Sequence, residues 1–262
     1  MKKLIFLLAA FISTPAFAAY EWTFVNLLVE RTGVPEHVLT FIGIGTLLTL
    51  FGVIYRSKIA KVPNVIIPDK GITIRNLVEA YGRFIYDQCN AVIGEKDAPK
   101  YYQFVATIFI LIFFSNVIGI IPGFLPPTEV INTTLALGVF SFVYYNIAGC
   151  KALGVVDYLK HFAGPLWYLA FLIFPIEILS NMIRPLSLGL RLQGVMMGDH
   201  KVLSTFSNLE VLGVHLSLFI PMPFYVFGLV ICLIQAYVFT MLSMVYISLA
   251  TAHHDHDDAH AH

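Results

Sequence analysis

The sequence predicts an all-α integral membrane protein with about five transmembrane helices and one amphipathic surface helix, the last two membrane helices being long and strongly tilted. Of its 262 residues, 58% are hydrophobic and 12% are charged, whereas soluble domains carry about 25% charged residues. Several uncharged runs reach the length of about twenty residues that crosses a bilayer. A soluble protein of two domains would have to bury all of these runs, so we favour a multi-pass membrane protein.

Charge and cysteine content exclude other classes of function. The formal net charge is zero, so no basic surface indicates a nucleic-acid partner. Cys89, Cys150 and Cys232 lie in different segments and have neither the spacing of metal ligands nor that of a disulfide framework. We therefore expect ordinary thiols, no metal site and no cofactor.

Residues 1–18 have the pattern of a cleavable signal peptide. Two lysines precede the apolar run Leu4 to Ile12, and Ala16-Phe17-Ala18 follows as a small-x-small site. We expect cleavage after Ala18, which makes residues 19–250 a single helical membrane domain with a periplasmic N-terminus in a bacterial inner membrane. The alternative is an uncleaved first membrane helix, for which the apolar run is short.

The first half of the membrane domain contains three predicted spans, namely 38–55, 101–121 and 130–149. Between the first two, residues 72–93 place apolar side chains on one side of a helical wheel and charged side chains on the other. This pattern predicts a helix that lies on the membrane surface or docks on a partner. Asn116, Asn132 and Asn146 interrupt the second and third spans, and we interpret them as interhelical hydrogen-bonding groups rather than members of an ion pathway.

The last two spans are predicted at 166–199 and 211–250. The second contains forty residues without Asp, Glu, Lys or Arg, which as a helix would run about 60 Å, twice the hydrocarbon thickness. It either turns within the membrane or forms one strongly tilted helix. We favour one helix bent at Pro221 and Pro223, because a turn there would leave only ten residues before it.

The distribution of positive charge orients these spans. Ten Lys and Arg residues fall in the inside loops 56–100 and 150–165, and two fall in the outside loops. The positive-inside rule then places the C-terminus in the cytoplasm. The tail, residues 251–262, is rich in His and Asp and is predicted to be disordered, with transition-metal binding as the alternative.

Three ionisable residues inside the fourth span indicate the functional core. Glu177, Arg184 and Arg191 are spaced by seven, so they share one stripe of a helix and drift by about 20° at each step. A set of small residues lies near the same stripe and leaves room for close approach of a second helix, namely Ser180, Ser187, Gly194 and Gly198. An arginine at the bilayer centre costs about 2.5–3.5 kcal/mol on insertion scales, so its presence indicates function.

Arg191 carries a permanent charge and no partner is evident in its own span. A guanidinium cannot lose its proton at any accessible pH, so it can attract a carboxylate or repel a cation but cannot relay protons. No acidic residue stands at helical spacing from Arg191 within the span, so we expect its counter-charge on another chain. Glu177 can exchange protons. The alternative interpretation of Arg184 is an internal ion pair with Glu177 that only helps the helix to insert.

Two further groups accompany the stripe. On the last helix Gln235 is the polar member of a face that runs from Gly228 to Tyr246 at helical spacing. Near the outer end of the stripe, Asp199 and His200 stand close to the titratable residues Glu210 and His215. His200 can change its charge near neutral pH, as an ion entry route requires, whereas a hydrated loop accounts equally well for Glu210 and His215.

The segment Ser187-Leu188-Gly189-Leu190-Arg191-Leu192, with Glu177 and Pro185 before it and Gly194 after it, resembles the signature helix of the a subunits of F-type ATP synthases. Ser115 to Pro122 and Gln235 to Phe239 also agree with that family. The resemblance covers most of residues 38–250.

The resemblance implies a non-catalytic stator subunit that translocates protons. It implies that Arg191 faces the carboxylates of a rotating c-subunit ring between two offset half-channels, with Glu177 and Ser180 on the cytoplasmic route, His200 on the outer route and Gln235 beside the arginine. The implied partners are the c-ring, the peripheral-stalk b subunits and the lipid bilayer.

The chain departs from the family at three positions. Val195 stands where the family usually has Asn, Gln193 where it has Phe, and Gly228 where it has a second ionisable group of the outer route. Asp199 or Gln193 are the candidates to replace that group.

Two other functions compete with this interpretation. A proton-coupled secondary transporter would require a substrate site, usually between repeated halves, and the sequence contains no evident repeat. A structural membrane anchor would use Arg191 only to bind a lipid headgroup or a partner's acid.

Overall fold

The computed structural model describes residues 25–60, 71, 73–121, 123–155, 158, 167–207 and 221–251. All regular elements in these ranges are helices, which confirms the predicted all-α membrane fold. The predicted signal peptide, residues 208–220 and the predicted tail from residue 252 lie outside the described residues.

Seven α-helices and two 3₁₀ turns make up the described chain. The helices are α1 (Asn26–Thr32), α2 (Glu36–Ile59), α3 (Ile74–Ile93), α4 (Ala98–Val117), α5 (Ile131–Leu153), α6 (Trp167–Ser207) and α7 (Pro221–Thr251), and the 3₁₀ turns are Ile118–Ile120 and Pro127–Glu129. Four of these helices, α2, α4, α5 and α7, are long and apolar enough to cross a membrane. The described part of α6, the predicted fifth span, is not among these four.

The amphipathic helix α3 begins two residues later than predicted. The hydroxyl of Thr73 accepts a hydrogen bond from the backbone N–H of Asn76, which caps the first turn. Gly94, with a φ of 97°, ends the helix in a conformation that favours glycine. The apolar face buries Ile85 and Cys89, and α3 packs against α4 and α7. The helix therefore docks on the membrane domain through that face.

Helices α5 and α6 approach each other closely where their glycines meet. A Cβ on Gly189 would lie 3.0 Å from the carbonyl oxygen of Thr134, and one on Gly138 would lie 2.5 Å from that of Pro185. Only glycine lets the two backbones come so near. Both helices also pack against α7, so α5, α6 and α7 form the core that positions the predicted stripe.

The two last helices are long. Helix α6 has 41 residues, which corresponds to about 62 Å, twice the thickness of the hydrocarbon core. A helix of this length must run obliquely or project beyond the membrane. Helix α7 begins at Pro221 and has 31 residues. Residues 211–220, the first part of the predicted forty-residue helix, lie outside the described chain, so one helix bent at Pro221 and Pro223 stays a prediction.

Candidate functional site

Helix α6 has one face inside the fold and one face outside it. The buried face contacts α5 and α7 and consists of Asn181, Pro185, Leu188, Gly189, Leu192 and Met196. Arg191 is exposed although the next residue, Leu192, is fully buried. Successive residues of a helix differ by about 100° in direction, so the packing of Leu192 turns Arg191 away from the core.

The predicted stripe of small residues lies on the outer face with Arg191. Ser180, Ser187, Gly194 and Gly198 are all exposed, and a Cβ added to either glycine would meet no atom within 4 Å. Among the described residues, Arg191 forms no ion pair and no side-chain hydrogen bond. The surface around the guanidinium is therefore open and shallow, with room for another helix.

Glu177 and Arg184 meet on the same helix. A guanidinium nitrogen of Arg184 lies 3.9 Å from a carboxylate oxygen of Glu177, at the outer limit of an ion pair. The guanidinium carbon also lies 5.3 Å from the ring centroid of Tyr246 on α7, a cation–π geometry. Arg184 is thus shared between its own helix and α7, while Glu177 stays half-exposed.

A buried hydrogen-bond network holds the neighbouring part of α6 against α5. Pro185 lacks an N–H and leaves the carbonyl of Asn181 without its helical partner. The hydroxyl of Tyr145 lies 3.5 Å from that carbonyl oxygen and donates to the side-chain oxygen of Asn181 at 2.6 Å. Asn181 in turn donates to Asn146 at 3.3 Å, and Asn146 also accepts from Tyr158 at 2.9 Å.

This network was partly foreseen in the sequence. Asn146 forms the interhelical hydrogen bond expected of it. Sequence reasoning missed Asn181, Tyr145 and Tyr158, although an asparagine four residues before a proline in an apolar span was an available signal. Asn132 is exposed and Asn116 is buried, so the three asparagines do not share one environment.

The outer part of α6 carries an ion pair that sequence reasoning also missed. Nδ1 of His200 lies 2.9 Å from a carboxylate oxygen of Glu129. Glu129 belongs to the 3₁₀ turn Pro127–Glu129, which packs against α5 and α6. The two side chains are an ion pair whenever the imidazole is protonated, so a second titratable group stands beside His200.

Asp199 lies next to Gly228 of α7. A Cβ on Gly228 would lie 2.9 Å from one carboxylate oxygen of Asp199. Both Asp199 and Gln193 are partly buried. Because Gly228 has no side chain, the carboxylate of Asp199 occupies the space that a side chain at position 228 would need.

Three further polar side chains are buried around the 3₁₀ turn. Ser115 and Asn116 end α4, and Thr128 lies in the turn, each at most 1% exposed. Their side-chain oxygens, and the amide nitrogen of Asn116, have no hydrogen-bond partner among the described residues. Buried polar groups of this kind usually bind ordered water.

Gln235 and Gly228, which are predicted to share a face of α7, are both buried. Gln235 is 6% exposed, and no hydrogen bond joins it to Arg191 in the described part of the chain. Glu210 and His215 lie outside the described residues. Within those residues, no three His, Cys, Asp or Glu side chains are placed to hold a metal ion.

Residues 37–248 match the family described as ATP synthase A chain. The chain is 46% identical over 239 residues, 91% of its own length, to the whole of the ATP synthase subunit a of Bdellovibrio bacteriovorus. It is 37% identical to subunit a of Sorangium cellulosum over 77% of this chain and 76% of that protein. It is 42% identical to subunit a of Geobacter sulfurreducens over 69% of this chain and 76% of that protein.

Proposed function

This chain belongs to the ATP synthase A chain family and is a non-catalytic membrane subunit of an F-type ATP synthase, and from that premise we propose that it translocates protons between two half-channels against a rotating c-ring. The c-ring carboxylates, the peripheral-stalk b subunits and the lipid bilayer are its proposed partners. The proposed topology has a periplasmic N-terminus after cleavage and a cytoplasmic C-terminus in a bacterial inner membrane.

The observation that carries this proposal is the environment of Arg191. The side chain is exposed on α6 and has no ion-pair partner among the described residues. An uncompensated guanidinium in the membrane is unfavourable by about 2.5–3.5 kcal/mol or more, and a carboxylate from a neighbouring subunit removes much of that penalty. The open face of Ser180, Ser187, Gly194 and Gly198 gives a ring helix room to bring its carboxylate close.

Glu177 and Ser180 are the proposed cytoplasmic route. Glu177 is held loosely, since its nearest cation, Arg184, stands 3.9 Å away and is shared with the ring of Tyr246. Its carboxylate therefore remains available to accept a proton from a ring carboxylate by way of water. Arg184 and the buried network around Asn181 position this part of α6, and Gln235 of α7 is the proposed polar neighbour of Arg191.

Asp199 and His200 form the proposed outer route, and Glu129 is a further member of it beside His200. The carboxylate of Asp199 occupies the space beside Gly228, which supports its role as the replacement for the family's ionisable group on α7. His200 and Glu129, 2.9 Å apart, can hold and pass on a proton between them. Water bound to the buried polar side chains of Ser115, Asn116 and Thr128 would connect this pair to the outside.

The mechanism follows from the fixed charge of Arg191. A ring carboxylate beside the arginine stays ionised, because a neighbouring cation favours the charged form. A proton arriving by way of Asp199 and His200 neutralises that carboxylate, which can then leave the arginine and enter lipid without a bare charge. The next carboxylate releases its proton towards Glu177 and pairs with Arg191. Each charge that crosses contributes about 2.3 kcal/mol per 100 mV.

The charge-conserving variant Arg191→Lys tests the proposal. A lysine keeps the charge but not the planar, bidentate geometry of arginine, so ATP-driven proton pumping should fall on the order of a hundredfold or more. Proton pumping is measured in inverted membrane vesicles, with assembly of the complex checked by native gel electrophoresis. Arg83→Lys, an exposed arginine of α3, is the matched control and should pump normally. Pumping retained in Arg191→Lys would exclude the mechanism.

Cross-linking tests the partner. Val195 is exposed on the outer face and Leu192 is fully buried, so Val195→Cys should cross-link to a cysteine placed beside the c-subunit carboxylate, and Leu192→Cys should not. Equal cross-linking from both positions, or none from either, would contradict the proposed contact.

A further inference from the structure

Two adjoining cavities form a groove between α4 and α5. The first, of about 460 Å³, lies where α4 begins and α5 ends. The second, of about 330 Å³, lies further along the same two helices. Lys100 and Tyr144 line both cavities, so the groove is continuous. It lies apart from Arg191 and from both proposed routes.

The mouth of the groove carries an excess positive charge. Lys100 donates to a carboxylate oxygen of Asp97 at 2.6 Å, so these two charges compensate each other. Lys151, at the end of α5, is exposed and forms no ion pair with the other described residues. Counting only the described residues that line it, the mouth has one uncompensated positive charge, on Lys151, beside the hydroxyl groups of Tyr101 and Tyr144, which suits a single phosphate diester.

The deeper part of the groove is apolar. It is lined mainly by Phe104, Ile108, Leu111, Leu137 and Phe140. The ring of Phe104 stacks on Tyr144 with a centroid distance of 3.6 Å and lies 5.9 Å from Phe140. From Lys100 to Leu111, α4 rises about 16 Å, close to half of the hydrocarbon core of about 30 Å. The groove thus has the length of one leaflet.

We propose that this groove binds one anionic phospholipid, with its phosphate at Lys151 and one acyl chain along the apolar groove between α4 and α5. Basic pockets between membrane helices at the cytoplasmic surface bind anionic headgroups, and the proposed topology places this mouth at that surface. A phosphatidylglycerol headgroup, with one negative charge, neutralises the mouth. Phosphatidylethanolamine is zwitterionic and leaves the mouth with its net positive charge.

The proposal is tested by native mass spectrometry of the purified complex, delipidated in detergent and then given phosphatidylglycerol, phosphatidylethanolamine or inorganic phosphate. The unaltered complex should retain one phosphatidylglycerol in preference to the other two. Lys151→Gln should weaken that retention about fivefold, and Lys151 is exposed, so packing is unaffected. Thr107→Trp, which places a large ring in the exposed wall of the groove, should abolish it.

Two variants on α2 are the controls. Lys58→Gln and Thr46→Trp change exposed residues of the same types away from the groove, and both should retain the lipid as the unaltered complex does. The proposal is overturned if phosphatidylethanolamine binds as well as phosphatidylglycerol, or if Lys151→Gln retains the lipid fully. It is also overturned if inorganic phosphate alone binds and Thr107→Trp does not affect it, because the groove is then a site for free phosphate. Lipid retention is measured without proton pumping, so this result is independent of the proposed function.

Discussion

The two faces of α6 differ in packing, in composition and in the exposure of their side chains. On the inner face, Leu192 and Leu188 are 0% and 3% exposed, and Gly189 lies against the backbone of α5. On the outer face, Arg191 is exposed and Gly194 has open space in front of it. The inner face therefore contributes packing to the fold, while the outer face carries a charge that has no ion-pair partner among the described residues.

Polar contacts N-terminal and C-terminal to Arg191 fix the orientation of α6 about its own axis, and this orientation decides which residues lie on each face. On one side, Asn181 is bonded to Tyr145, and on the other, His200 is paired with Glu129. A helix held at two heights cannot turn about its axis without breaking one of these contacts. The direction of the arginine therefore depends on contacts that lie several turns away from it.

The largest effects on subunit level and on proton pumping are expected when one glycine on each face of α6 is replaced by leucine. Gly189→Leu places a side chain within about 3 Å of the α5 backbone, which must then move away. Overpacking of this kind costs about 1–3 kcal/mol, so the level of folded subunit in the membrane, measured by immunoblotting, should fall severalfold.

Gly194→Leu is the counterpart on the outer face. The open space there predicts a normal level of folded subunit, while the leucine blocks the approach of the ring and abolishes pumping. The comparison of the two faces fails if Gly194→Leu lowers the level of subunit as strongly as Gly189→Leu does.

An exchange between α6 and α7 tests the outer route. Asp199→Gly removes the carboxylate and should reduce pumping on the order of a hundredfold. Adding Gly228→Asp returns a carboxylate to the same space, because the two positions are in contact, and should restore much of the rate. Pumping is measured in vesicles for the two single variants and the double variant. If the double variant is no better than Asp199→Gly alone, the carboxylate does not act from this space.

The buried network on the inner face predicts a smaller effect. Tyr145→Phe removes the donor to Asn181 at 2.6 Å, and the loss of one buried hydrogen bond costs about 1–3 kcal/mol when a partner is left unsatisfied. The temperature at which the purified complex dissociates should fall. With Asn181→Leu in addition, the two effects should be less than additive. Ser57→Ala, an exposed hydroxyl of α2, is the control, and strict additivity would show that the two residues act separately.

The smallest effect on stability and on proton pumping is expected from Arg184→Gln. The pair with Glu177 is 3.9 Å long and both side chains are partly exposed, so its contribution to stability should lie within about 1 kcal/mol. Pumping should change little, whereas Glu177→Gln should reduce it severalfold because a proton acceptor is lost. Equal losses in the two variants would mean that the ion pair, rather than the free carboxylate, matters for transport.

Helix positions were predicted well because hydropathy and helical periodicity are local properties. The spans expected at 38–55, 101–121 and 130–149 correspond to α2, α4 and α5, each shifted by a few residues. The ends shifted because capping and loop contacts decide them. The start of α3 at Ile74, capped by Thr73, is an example, since Ile72 also fits the apolar pattern.

The sequence alone predicts that α6 is a long helix with Glu177, Arg184 and Arg191 on one stripe, because spacing along a helix fixes direction around its axis. Which residues of other elements contact α6 could not be predicted from that spacing and became clear from the folded arrangement of the helices. Glu129 reaches His200, Asp199 occupies the space beside Gly228, and Tyr145 reaches Asn181. Such contacts depend on how helices are rotated and offset against each other, and that arrangement results from packing of the whole chain.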